Sequence, residues 1–232
     1  MNRRQGLLAA LAAPLAVAGR PARAQKAGAP VGELKSLGQD RYQVGRIVVD
    51  KRAQAFTAPG RVHLLGKPLE YLATSPGGIK EYESLLEVDA TGSEFNLACI
   101  LIGLERDPRQ AAAMQSGQSP LVGRRVTIGI AWSDGGRRRQ LSAAQALLNP
   151  GSEIDAESIE WVFTGSPASD NMEQFAADLT GTLIAFKPDA NSIIESAVGI
   201  GIGAYGSITG NAVLPPVGSA IELTVTAVPV AR

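Results

Sequence analysis

Residues 69–103, LEYLATSPGGIKEYESLLEVDATGSEFNLACILIG, decide how the chain is read. Residues 69–74 are strand-like. Pro76-Gly77-Gly78 then turns the chain, because glycine supplies the positive φ such turns need. Residues 81–88 alternate loosely, with Tyr82, Ser84, Leu86 and Val88 on one side, although Ser84-Leu85-Leu86 dilutes the pattern. Thr91 or Ser93 can cap a following helix, with acidic Glu94 near its start. Residues 95–104 are apolar on nearly every face, the pattern of a helix buried on more than one side, and Asp107-Pro108 ends it. The expected fold class is therefore α+β: mainly antiparallel β-sheet packed around one buried central helix, about residues 93–104.

Outward from that centre the chain reads mostly as strands and turns. Low aromatic content (5%) with 26 Gly and 14 Pro favours many short strands over a helical bundle. Strands are expected at residues 44–50 and 53–57. A turn is expected at Ala58-Pro59-Gly60, and a half-buried strand at 61–65. Residues 125–132 and 137–142 flank the tight turn Asp134-Gly135-Gly136. Further strands are expected at 159–164 and 220–228, a hairpin over 175–186 with Gly181 near its tip, and a long surface loop at 109–123. Residues 198–210, VGIGIGAYGSITG, hold a superficial G-x-G-x-G. No long amphipathic helix follows Gly203, so a dinucleotide loop is not indicated.

Residues 1–24 have the form of a signal peptide. Arg3 and Arg4 precede an apolar run too short to span a bilayer, and Ala22-Arg23-Ala24 places small residues at a cleavage position. Export to the periplasm or beyond is expected, by the Sec or twin-arginine route, with no stable membrane span after cleavage. Residues 25–41 read as a mobile leader and 42–230 as a single domain. Without its four arginines, the remaining chain has 18 basic against 22 acidic residues, net −4. That balance, with no basic block in the body, argues against a nucleic-acid partner. Arg137-Arg138-Arg139 read as a solvated hairpin arm. The single cysteine, Cys99, lies in the apolar run and reads as a buried small hydrophobe. With one His and one Cys, a structural zinc site is excluded, and no metal or cofactor is expected.

Several pieces in one order carry a family resemblance. They are Ile47-Val48-Val49-Asp50, Leu69-Glu70-Tyr71-Leu72, Gly77-Gly78 and Lys80-Glu81-Tyr82-Glu83-Ser84-Leu85-Leu86. Trp161-Val162-Phe163-Thr164-Gly165-Ser166 and Pro215-Pro216-Val217-Gly218 complete the series. Over about residues 45–228 the chain resembles the YdjY-type domain, a family of exported bacterial proteins without an assigned biochemical role. Family members usually have His-Glu-Ser after the glycine turn. Tyr82 stands at the histidine position here, which removes any metal-binding or acid–base role attached to that histidine. The ferredoxin-like label carried by some relatives does not transfer, since one cysteine cannot hold an iron–sulfur cluster.

The candidate ligand-binding residues are Lys80, Glu81, Tyr82, Glu83, Ser84 and Trp161. If the protein is an enzyme, Glu83 is the candidate general base, with Tyr82, Lys80 and Ser84 beside it. The plainer alternative makes residues 80–84 a solvated arm and Trp161 a core side chain. No G-x-S-x-G elbow exists, and the lone His63 lies in a strand-like run, so a serine-hydrolase triad is not assembled. The leading expectation is a non-enzymatic, exported protein that binds a small ligand or an envelope protein. A hydrolase using Glu83 and an assembly factor for an envelope complex are the alternatives.

Overall fold

A computed structural model of the chain describes residues 32–107, 109, 121–148, 156–167, 175–198 and 208–229. The expected signal peptide, most of the 109–123 loop and the central glycines of 198–210 lie outside the described residues. The strands are β1 (Leu34–Gly38), β2 (Arg41–Val44), β3 (Ile47–Asp50), β4 (Ala55–Val62), β5 (Tyr71–Thr74), β6 (Ser84–Val88) and β7 (Arg124–Asp134). They continue with β8 (Arg137–Ser142), β9 (Leu147–Leu148), β10 (Trp161–Phe163), β11 (Thr182–Ala185), β12 (Ile194–Ser196), β13 (Thr209–Gly210) and β14 (Ala220–Ala227). Among the described residues, two short helices, α1 (Gly92–Leu101) and α2 (Ala176–Thr180), and two single 3-10 turns, Glu81–Glu83 and Ala156–Ser158, accompany the strands.

Strand pairing overturns the expected architecture. The order β4-β14-β7-β10-β12-β11-β5-β6 returns to β4 through a further β4–β6 pairing, so eight strands form a closed β-barrel. The protein is mostly β around a barrel interior; it is not a sheet packed around a central helix. Helix α1 does form, with a capping box in which Thr91 and Glu94 satisfy each other's backbone N–H. It lies against β2, β3, β11 and α2. Phe95, Ala98 and Cys99 are buried, and the Phe95 ring meets Phe56 of β4 edge-on at 5.1 Å. Ile100, in the middle of the same apolar run, is half exposed. The run's all-round apolarity therefore reflects one buried face plus a tolerated apolar outer face, a distinction composition alone cannot draw.

Closure depends on how β4 shares its second edge. One edge of β4 pairs with β14 from Ala55 to Arg61. The other pairs with β3 at Ala55–Thr57 and then with β6 at Gly60–Val62. Pro59 sits at the switch, where its missing N–H breaks no ladder, and its carbonyl oxygen accepts from Asp89 N–H at 2.9 Å. A Cβ on Gly60 would stand 2.4 Å from the Glu87 carbonyl oxygen, so the seam requires glycine. Ala58-Pro59-Gly60, expected as a turn, is thus the middle of the barrel's longest seam.

Burial follows the wall. In β14, Ile221, Leu223, Val225 and Ala227 are buried while Glu222, Thr224 and Thr226 are partly exposed, the alternation of a wall with one wet face. Strands β5, β6, β10, β11 and β12 are buried on both faces. This explains why Ser84-Leu85-Leu86 does not alternate in sequence. Residues 175–186 differ from the expected hairpin: α2 ends at Gly181, left-handed at φ 74°, and β11 follows. Residues 34–38, read as part of a leader, form β1.

Placing a side chain at the seam tests closure. Gly60→Ala is expected to destabilise the fold by about 1–3 kcal/mol through overpacking. Gly129→Ala, on the outer face against the flexible Gln140 side chain, should shift stability by less than about 0.5 kcal/mol. Urea unfolding of the two variants checks the contrast, and equal effects would remove the seam from the account.

Candidate functional site

At one end of the barrel β5 and β6 begin side by side, Tyr71 opposite Ser84, and the last residue of β11, Ala185, pairs with Tyr71. Just before β5, Glu70 N–H donates to the Glu83 carbonyl oxygen at 3.0 Å. The Glu70 carbonyl oxygen accepts from the Phe186 and Lys187 N–H groups. The barrel thereby delivers Glu70, Tyr71, Glu83 and Lys187 to one place. Lys187 forms an ion pair with Glu70, and Lys80 stands 3.7 Å from Glu83 Oε2.

The Tyr71 hydroxyl donates to Asp189 Oδ2 at 3.0 Å. Asp189 Oδ1 accepts from both Asn191 N–H and Asn191 Nδ2 at 3.0 Å, and Asp189 N–H donates to Glu195 Oε2 at 3.1 Å. Glu195 lies on β12, paired with Val162 of β10 and Ala185 of β11, and is 1% exposed. Its second oxygen, Oε1, is buried with no hydrogen-bond partner among the described residues. Burial pushes the Glu195 carboxyl up to about 7, the Asp189 N–H works against that shift, and the Asp189 charge adds to it. The nearby Thr164 hydroxyl, its one hydrogen within reach of the Ser192 and Ile193 carbonyl oxygens at 3.3 and 3.2 Å, weakly favours the charged form. Burial, then Asp189, then Glu70 and Glu83 push the Tyr71 hydroxyl far above its ordinary value, so it stays protonated as a donor.

The residues singled out from sequence divide three ways. Lys80, Tyr82 and Glu83 come together: Lys80 Nζ is 3.2 Å from the Tyr82 hydroxyl and 5.5 Å from its ring centre. That hydroxyl and then the Glu83 charge hold the Lys80 ammonium above its usual range. Tyr82 is 57% exposed, and Glu81 opens the 3-10 turn that presents it. Ser84 is fully buried and its hydroxyl donates to the Leu86 carbonyl oxygen of its own strand, which leaves it unsuited to act as a nucleophile. Trp161 stands apart, on β10, where it lines a cleft of about 310 Å³ together with Val126, Ile128, Ala144 and Ile159. An Arg125–Glu160 ion pair at 2.9 Å borders that cleft.

Sequence reasoning missed Tyr71, Asp189 and Glu195. A signal for Glu195 was present, since an acid inside the apolar run Ile193-Ile194-Glu195-Ser196-Ala197 is unusual for a buried strand. His63 faces the buried Glu87 at 3.8 Å, and Glu87 is held by Arg61 at 2.6 Å, a pairing at the seam. Cys99 is fully buried and its thiol is raised well above the ordinary value by burial, which leaves it inert. Among the described residues, no three His, Cys, Asp or Glu side chains are grouped to hold a metal ion, and no helix is long and apolar enough to cross a membrane.

A closed, strand-rich barrel carrying an ionisable cluster at one end is the class of molecule these observations define. The family model of the YdjY domain matches residues 47–226, and the chain belongs to that family. No curated protein and no solved structure shows significant similarity to it.

The buried Glu195 ties stability to pH with a definite sign. Its carboxyl is raised from 4.5 to about 7 by folding, so folding favours the neutral form. Stability from this group is full below about pH 4.5 and is lost as pH rises to about 7, a change of about 3 kcal/mol. Glu195→Gln removes that loss. The variant is expected to match the parent at acid pH and to exceed it at about pH 8, as read from urea midpoints across the range. A constant difference between the two proteins at every pH would contradict the assignment.

Proposed function

We propose that this YdjY-domain protein is exported to the cell envelope and acts there as a non-enzymatic binding protein, taking a small ligand in the cleft beside Trp161. Export is supported by Arg3-Arg4, the short apolar run and the Ala22-Arg23-Ala24 cleavage pattern. The single observation that carries the binding reading is the cleft itself. Its volume of about 310 Å³ matches the smaller ligand pockets. Its walls are apolar at Val126, Ile128, Ala144 and Trp161, and a charged pair, Arg125 and Glu160, stands among them to orient a polar group. An apolar ring or short chain with one anionic end fits that chemistry.

One observation favours the hydrolase alternative. A carboxyl that keeps its proton to about pH 7, beside a second carboxyl and a tyrosine hydroxyl, is the kind of proton donor that general acid catalysis uses. In that reading Glu195 and Asp189 carry the chemistry, with Glu83 near enough to act on the Tyr71 hydroxyl. Activity on ester, glycoside or phosphate test substrates that disappears in both Glu195→Gln and Glu83→Gln would replace the binding reading.

The binding reading has a direct optical test. With Trp132→Phe, the emission of the chain reports Trp161 alone, since the chain has two tryptophans. Anilinonaphthalene sulfonate is expected to bind saturably and quench that emission. Ala144→Phe, which fills the cleft, should weaken it by about tenfold or more in a protein that still unfolds cooperatively. Quenching that survives Ala144→Phe unchanged would place the dye elsewhere and remove the cleft.

A further inference from the structure

We propose that the outer edge of β8, with the groove at its root, docks an extended acidic peptide segment of a partner protein, which adds to the sheet as one more strand. This proposal is independent of the Trp161 cleft and of the barrel-end carboxyls.

The barrel has no edge, but its extensions do. One edge of β7 pairs with β14 throughout the barrel, and the other is divided between β10 at Arg124–Val126 and β8 at Gly129–Asp134. Strand β8 pairs with β7 along its whole length in regular register and with nothing on its far side among the described residues. Five of its six residues are exposed, and Leu141 is half-buried. Gly135 and Gly136, at φ 55° and 82°, close the hairpin in a tight two-residue turn that holds the edge extended. An exposed, regular edge offers its N–H and C=O groups as a template for another strand.

Charge selects the occupant. Arg137, Arg138 and Arg139 follow one another along the edge, on both faces of the strand. Arg138 meets Glu222 at 2.6 Å and Arg139 meets Asp134 at 3.4 Å, all four side chains being 42–61% exposed. Arg137 has no ion pair among the described residues. Pairing of β8 with β8 of a second copy would bring both arginine runs onto one seam, where like charges repel. An acidic strand meets Arg137 directly and competes with Glu222 and Asp134 for the other two guanidinium groups. Beside the strand, a groove of about 740 Å³ is lined by Trp132, Arg139, Val213, Pro215 and Pro216. Trp132 lies directly across from Arg139 in the hairpin. Val213, 63% exposed and the most exposed large apolar side chain among the described residues, is part of this lining. It offers an apolar seat to one side chain of the incoming strand.

The probe is an end-blocked octapeptide alternating Glu with Val, added to the chain carrying Trp161→Phe so that Trp132 reports. Saturable binding with a Kd below about 1 mM is expected, with amide shifts confined to β8 and the groove. The lysine counterpart should not bind. Arg137→Glu with Arg139→Glu should weaken the acidic peptide by about tenfold or more at an unchanged thermal midpoint. If that variant fails to fold, raising salt on the parent should weaken binding instead. Methylating alternate backbone nitrogens of the peptide in two sets should abolish binding for one set and spare the other. Equal binding by both methylated sets, or by an oligothymidylate, would mean a bare polyanion patch and overturn the strand proposal. So would no binding of the acidic peptide at about 1 mM.

Discussion

The contact on which the rest depends is the approach of β4 to β6 at Gly60. Three residue pairs, Gly60↔Val88, Arg61↔Glu87 and Val62↔Leu86, turn an open sheet into a barrel. Without them, β6 and the Gly60–Val62 half of β4 would each present an unpaired edge. A glycine is required because any side chain there would meet the Glu87 carbonyl. The Arg61–Glu87 pair spans the same seam, with the Glu87 carboxylate almost wholly buried. Removing the arginine would strand that charge, so the seam couples backbone closeness to charge pairing. The strands β1–β3 then use the half of β4's edge that β6 leaves, and β8 uses the half of β7's edge that β10 leaves. Closing the barrel does not abolish free edges; it moves them to the extensions.

Much of the strand inventory was legible in sequence, because it rests on local pattern. The alternation in residues 220–228, the Asp134-Gly135-Gly136 hairpin and the capped helix after Thr91 all appear where periodicity and turn chemistry put them. The global arrangement was not legible. Closure is a long-range pairing between residues 60–62 and 86–88, and nothing at either place announces a partner. Pro59 and Gly60 even argued for a turn, since the features that make them turn formers, a missing N–H and a missing Cβ, also suit a partner switch inside a strand. The apolar run at 95–104 was overweighted for a similar reason. Its burial is real at Phe95 and Cys99, but Ile100 faces outward, and sequence cannot say which face of an all-apolar helix is covered.

The candidate site shows the same division. Residues 80–84 were visible as a polar cluster, and Lys80, Tyr82 and Glu83 do meet. Tyr71, Asp189 and Glu195 join them only through β5, β11 and β12, from opposite ends of the domain. Trp161 belongs to a different part of the wall, so one list of residues resolves into two places with two chemistries.

Glu195 is costly where it stands. A sheet buried on both faces shields a carboxyl from water, and among the described residues one of its oxygens, Oε2, has a hydrogen-bond donor. An aliphatic residue would fit its neighbours Val162 and Ala185 better. Burial favours the neutral form of the group. The Asp189 N–H and the Thr164 hydroxyl lean the other way, keeping the charged form within reach near neutral pH. A group balanced between its two states by opposing contacts differs physically from one fixed in either state. The barrel wall, by excluding water from both faces of β12, is what creates that balance. Site and fold thus share one cause, a wall that closes and is then covered on its outer side.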